Sequence, residues 1–459
     1  MNFLPFVGGY LAVITALAVY FSRRIKSSED FAVAGRSLGT FVVAGTMLAA
    51  WMGGGTILGT AEFIYLHGPL AGALYCAVEP LGILIFFFIS RRIYLTRKTT
   101  ISEILYERYG MVSSIISAVA IIVAYVGILS YQIKGMGMII SYSSTIGTDT
   151  SYIIALVVII MITVTGGLMS VAYTDSMSAI LITVSLLLGI PFALSAVGGF
   201  GGISSSLPPE NLTIGSTLSS VQWIGYFLPT MLLVLGDQNM YQRIFAAKNE
   251  GSARHGTLYW LLGCIVINVP IIILAVSSRA LALLPMERAD EAIIALASNV
   301  LPFAIGGIIL ATAAAFLLTT ADSYLLSSAT VTVYDVIAKA RDVDDRTKLN
   351  LQRALVVIFA LLSLVMIRFF PSVLTIQMFA YTIYGATITP ALLGALLWKG
   401  ATKWGGISSM IVGILATLIT EFTITRSTGI NSVVVSAPLA FLVLIVVSIL
   451  TKKKNPDAV

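Results

Sequence analysis

Charge is what this chain has least of. Asp, Glu, Lys and Arg make up only 10% of its 459 residues, whereas 58% are hydrophobic. The mean hydropathy is +0.97. That balance excludes an ordinary soluble domain. Histidine is nearly missing, and His67 and His255 lie far apart without metal-ligand spacing, which argues against a metal-enzyme centre. With neither a histidine pair nor a G-x-S-x-G elbow, no nucleophile and base converge, so a membrane enzyme is disfavoured. The two cysteines, Cys76 and Cys264, both fall in apolar runs and suggest no disulfide framework. No attached soluble module interrupts the sequence. The longest polar stretches, Gly198 to Ser220 and Ala280 to Asn299, are expected to be external caps or lids, and KARDVDDRTKLNLQR a solvated connector. This weighs against a receptor or sensor.

What is present is a succession of long apolar runs. At about 20 residues per span, the chain divides into 13 expected membrane helices at 3–22, 38–66, 70–90, 112–145, 152–170, 174–198, 219–242, 256–279, 300–338, 353–369, 372–398, 404–424 and 432–451. The first run has no basic segment before it and no small-residue cleavage site after it. It is expected to be a retained helix and not a signal peptide. Placing the N-terminus outside and the C-terminus in the cytoplasm puts 22 of the 27 Lys and Arg residues on the cytoplasmic side. The exceptions are Arg279, Arg288, Arg368 and Arg426 outside, and Lys134 within a span. The formal net charge of +6 is therefore an orientation signal for a cell membrane and gives no reason to invoke nucleic acid.

Two runs carry residues that a membrane helix should avoid. The second contains WMGGGT, with Gly53, Gly54 and Gly55; the seventh contains Pro229 and then the polar run Gly236, Asp237, Gln238, Asn239. Glycine is a poor helix former, and a bilayer offers nothing to freed backbone groups. One reading of the glycines is close packing through small residues. The other is a helix opened so that bare carbonyls hold an ion. The two runs lie five helices apart, in halves 38–198 and 219–398. Five is odd, so the halves would enter the membrane from opposite sides. Paired interrupted helices in inverted halves point to a transporter's midplane site. The expected organisation is one transporter domain over 1–459, with an extra helix at 3–22 and two further helices across 404–451.

Six segments in order resemble the sodium/solute symporter family, which has the leucine-transporter-like inverted-repeat fold. They are EDFAVAGRSLG, TISEILYERYG, GGLMSVAYTD, GDQNMYQRIFAAKNEGSARHG, TTADSYLLSSATVTVYD and PALLGALLWKGATKWGG. The resemblance implies sodium-coupled symport of a small organic solute by alternating access, with Na+ as the coupling ion. It also implies a sodium site made of the carbonyls of Ala49, Met52 and Phe316 with the hydroxyls of Thr319 and Thr320. Asp175 matches an aspartate near the sodium's inner exit; its residue-level alternative is a helix N-cap.

For the solute, WMGGGTILGTAEFIY looks closest to the choline-transporter branch, where Trp51 matches a cage tryptophan. The corresponding seventh-helix position holds Asp237, which leaves an aromatic cage incomplete. Glu79, Thr56 and Thr230 match pocket positions of the sugar-transporting branch. Lys134 matches no family role. It is expected either to snorkel or to serve as a pocket cation for a carboxylate, with Glu79 a partner to be sought. The rival on the same scaffold is a proton-coupled carrier in which Asp175 or Glu79 titrates.

Overall fold

A computed structural model describes residues 2–22, 27–165, 167–214, 217–370 and 372–452. Five basic residues that contributed to the orientation argument, Arg23, Arg24, Lys26, Lys453 and Lys454, lie outside the described residues. Apart from one isolated parallel bridge between Leu38 and Ala247, the regular structure among the described residues is helical. Among the described residues, ten helices are long and apolar enough to cross a membrane, and eleven if the bent pair Thr40–Trp51 and Gly55–His67 counts as one span. This is the architecture of a multi-pass membrane protein.

Every expected segment overlies helix, but the ends differ where polar caps extend them. The helix expected at 256–279 runs Glu250–Ala280, because the Asn249 side chain accepts from Ser252 N. The one expected at 353–369 starts at Asp345, with Asp344 accepting from Thr347 N. Most of the expected solvated connector is therefore helical. Hydropathy cannot see such polar turns; capping chemistry can. The polar stretch 280–299, expected to be an external cap, is likewise not just a loop. It holds the helix Ala292–Asn299, with Ala292, Ile294 and Leu296 fully buried.

The second expected helix breaks where its glycines lie, with a bend of 53° between Thr40–Trp51 and Gly55–His67. None of the three glycines has a positive φ. What they supply is room. A Cβ on Gly53 would lie 2.3 Å from Thr320 Oγ1, and one on Gly54 would lie 2.8 Å from Leu317 Cδ2. Both neighbours belong to Phe303–Val331, the long helix that faces the break. Close packing and opening, posed as alternatives by the sequence, occur together. The seventh expected helix also breaks. Ser220–Gly236 carries Pro229 without interruption, and the chain turns extended only at Asp237 before Gln238–Ala246.

Candidate functional site

At the first break the amide ladder comes apart residue by residue. Gly53 N donates to Trp51 O at 3.0 Å instead of reaching back to Ala49, and Thr56 N donates to Gly53 O at 3.0 Å instead of Met52. Gly54 N leaves the helix altogether and donates to Gln132 Oε1 at 2.8 Å. The carbonyls of Ala49 and Met52 thus lose their helical amide partners. Across from them, the hydroxyls of Thr319 and Thr320 lie 3.3 and 3.2 Å from Ala49 O, and Thr319 Oγ1 is 3.2 Å from Phe316 O. Both threonines are 2% exposed. Four of the oxygens picked out for sodium, Ala49 O, Phe316 O and the two hydroxyls, therefore come together where broken and intact helices touch. A hard cation suits such an all-oxygen set, because hydroxyl lone pairs and freed carbonyls replace its hydration shell without a full charge.

The second break is built differently. Asp237 caps the following helix, accepting from Asn239 N at 3.0 Å, from the Tyr324 hydroxyl at 3.0 Å and from the Tyr125 hydroxyl. Tyr384 accepts from Gln238 N at 2.9 Å and donates to Gly236 O at 2.8 Å. Tyr241 donates to Leu235 O at 3.0 Å. Asp237, expected in the solute pocket, is thus engaged by the protein itself.

Asp175 was expected near the sodium exit. It is not an N-cap but an interior residue of Leu168–Val197, and it forms a fully buried ion pair with Arg243 at 3.2 Å. Thr46, in the first half of the broken helix, donates to Asp175 Oδ2 at 2.5 Å. Arg243 also donates to Thr46 O, Asn239 O and Ser323 Oγ at 3.1, 3.1 and 2.6 Å. Four helices are joined through one guanidinium. Sequence reasoning missed Arg243, although it lies within the quoted segment GDQNMYQR; a basic residue that close to a span end looked like an orientation signal.

Lys134 is corrected as to partner. Its ammonium pairs with Asp290 Oδ2 at 3.0 Å and not with Glu79. Asp290 belongs to MERADE, whose Ala289, Asp290 and Glu291 are buried. The stretch 280–299 that holds it is tied to the second half of the broken helix, where Tyr65 donates to Leu284 O at 2.5 Å. It is also tied near the end of Met111–Ser143, where Tyr142 donates to Glu291 at 2.5 Å. The polar stretch was expected to be a cap, but its burial and its pairing with Lys134 have no signature in composition.

Of the remaining pocket candidates, Glu79, Trp51 and Thr230 are linked through direct contacts or through Tyr75. Glu79 is 7% exposed and lies 3.4 Å from both Cys264 Sγ and Asn268 Nδ2, with the Trp51 indole N–H also reaching its carboxylate. Trp51 contacts the rings of Trp260 and Tyr381. Thr230 bonds with Tyr75, which lies beside Glu79. Thr56 lies one turn beyond Met52, its hydroxyl 3.4 Å from Met52 Sδ.

A broken membrane helix whose freed carbonyls meet the hydroxyls of an intact one is the arrangement of an ion-coupled carrier. Residues 31–413 match the sodium:solute symporter family, and the chain belongs to it. Its activity is sodium-coupled solute symport. It is 26% identical over 415 residues to the high affinity choline transporter 1 of Homo sapiens, covering 84% of this chain and 70% of that one. It is 22% identical over 477 aligned positions to an osmoregulated proline transporter of Bacillus subtilis, covering 97% and 94%. A solved structure of a Na+-coupled sialic acid symporter in a substrate-bound outward-open state superposes with a TM-score of 0.84 at 16% identity, covering 98% of both chains. That likeness is one of fold.

Proposed function

We propose that the chain carries sodium and a small organic solute by alternating access, with sodium held by the carbonyls of Ala49, Met52 and Phe316 and the hydroxyls of Thr319 and Thr320. The observation that carries this is the release of the Ala49 and Met52 carbonyls opposite two buried hydroxyls. In this reading 13 helices cross the membrane as two inverted five-helix repeats, 38–198 and 219–398, flanked by 3–22 and 404–451. The N-terminus lies outside and the C-terminus in the cytoplasm.

Sodium entering from outside draws the first half of the broken helix against Phe303–Val331 and completes the pocket lined by Trp51, Thr56, Glu79 and Thr230. Two polar layers close the route. On the outer side, Lys134–Asp290 and Tyr65–Leu284 hold the external segment down. On the inner side, Arg243 joins Thr46 to Asp175, so sodium leaves past Asp175 when that layer parts. Lys134 is a closing residue in this account, and Asp237 a structural one. One sodium crossing 100 mV provides ~2.3 kcal/mol, and a tenfold gradient raises the total to ~3.7 kcal/mol. At one-to-one coupling that supports roughly 500-fold accumulation of a neutral solute.

The test is uptake and thermal stability of the purified full chain, measured with and without sodium at fixed pH, against amino acids, sugars, carboxylates and choline-like cations. Sodium-dependent stabilisation and uptake are expected. Uptake that follows the proton gradient with no sodium requirement would overturn the ion assignment.

A further inference from the structure

Resting on the symport reading, two buried groups in the pocket lack the partners their chemistry calls for. The first is Gln132, which is fully buried. Its orientation is fixed, because its amide oxygen must face the Gly54 N–H that donates to it at 2.8 Å. The amide NH2 is then left without an acceptor. An unpartnered buried donor is rare and destabilising in a finished site. Sodium cannot satisfy it, since a cation is repelled by N–H donors. The missing partner is an oxygen.

The second is Glu79, a carboxylate 7% exposed whose partners are a thiol, an amide and an indole, all neutral. A buried carboxylate without a cation is unfavourable. The two groups border one cluster. Gln132 and Tyr131 both pack on Gly54, Tyr131 bonds with Tyr381, Tyr381 meets the Trp51 ring, and Trp51 bonds with Glu79. The basic side chain expected here, Lys134, is paired with Asp290 instead.

We infer that the transported solute is a compact zwitterion, its ammonium directed to Glu79 and its carboxylate to the Gln132 amide. The aromatic rings between the two groups then pack on its short carbon frame. A sugar's hydroxyls can bond to both groups but leave the Glu79 charge uncompensated, an anion supplies nothing for Glu79, and choline lacks the carboxylate.

The test is thermal stability of the purified full chain in sodium, with L-proline, L-alanine and L-serine as zwitterions. L-proline methyl ester serves as a cation alone, N-acetyl-L-proline as an anion alone, and choline and glucose as outsiders. At least one zwitterion should stabilise at concentrations roughly tenfold or more below those needed for either half-molecule. Gln132→Glu retains the acceptor for Gly54 N–H but deletes the donor. It should weaken zwitterion and N-acetyl-proline binding while the response to sodium alone survives. Glu79→Gln should weaken the zwitterion and the methyl ester and leave N-acetyl-proline unchanged. No stabilisation by any zwitterion, equal binding of either half-molecule, or a stronger effect of choline or glucose would overturn the inference. So would loss of the sodium response in both variants, which would make the two residues structural. A wild-type chain insensitive to sodium would count against the symport reading instead. Should either variant fail to fold, the wild-type ranking decides alone.

Discussion

The two broken helices solve the same problem in opposite ways. At Asp237 side chains meet loosened backbone groups on both sides of the break: Tyr384 bridges Gly236 O and Gln238 N, Asp237 takes Asn239 N, and Tyr241 takes Leu235 O. At Gly53 the carbonyls of Ala49 and Met52 lose their amide partners, and only two threonine hydroxyls approach the first of them. One break is bridged by the protein's own side chains; the other, in the proposed reading, is left for an ion. The lesson is that a helix interruption at membrane depth is not itself a binding site. What the interruption leaves unsatisfied decides its role.

The largest expected effect comes from undoing the completed break. Asp237→Leu takes the acceptor away from the hydroxyls of Tyr125 and Tyr324, both buried, and one of the two acceptors of Asn239 N, which keeps the Tyr125 hydroxyl. At ~1–3 kcal/mol for each stranded polar group, the variant should lose several kcal/mol, visible as failed expression or a sharply lowered melting temperature whether or not sodium is present. If it is stable and merely needs more sodium, the contrast between the breaks collapses.

Next in size is the outer layer. Lys134→Met leaves Asp290 buried without its ammonium, costing ~3 kcal/mol in the externally closed state only. The variant should therefore favour the outward-open state and label faster from outside at an introduced cysteine beneath the external segment. Adding Asp290→Leu removes the stranded charge and should restore wild-type labelling. A double variant as open as the single one would show that the pair does not latch that face.

Gly53→Ala is a smaller perturbation aimed at the ion break. Its methyl group would meet Thr320 Oγ1, so the helices must part by a fraction of an ångström, at ~1–3 kcal/mol. Sodium affinity should fall more than sodium-free stability does. An unchanged sodium requirement would mean that the close approach at Gly53 is dispensable.

Much of this was legible in the sequence because the strongest signals are local. Apolar runs marked the helices, the glycine triplet and the Gly236–Asn239 run marked both interruptions, and paired threonines with family segments marked oxygens that meet at the first break. What could not be seen depends on long-range contact. Lys134 finds Asp290 across 156 residues and Arg243 finds Asp175 across 68, and nothing in either neighbourhood names the partner. The role of Asp237 was misjudged for the same reason: the residues that satisfy it, Tyr125 and Tyr324, come from two distant helices. The choice between packing and opening at the glycines was undecidable from propensity, because the space they provide is defined by Leu317 and Thr320 on another helix.

The central claim is that sodium binds at the first break and not at the second. The most direct measurement is a sodium titration of melting temperature, without solute, for three purified proteins: wild type, Thr319→Ala with Thr320→Ala, and Asp237→Asn. Alanine keeps the helix while removing two oxygens. The threonine variant should need at least ~10-fold more sodium for the same rise, equivalent to ~1.4 kcal/mol. Asp237→Asn, though less stable, should titrate like wild type. A threonine variant with a wild-type sodium curve, or an Asp237→Asn curve displaced in its place, would contradict the account.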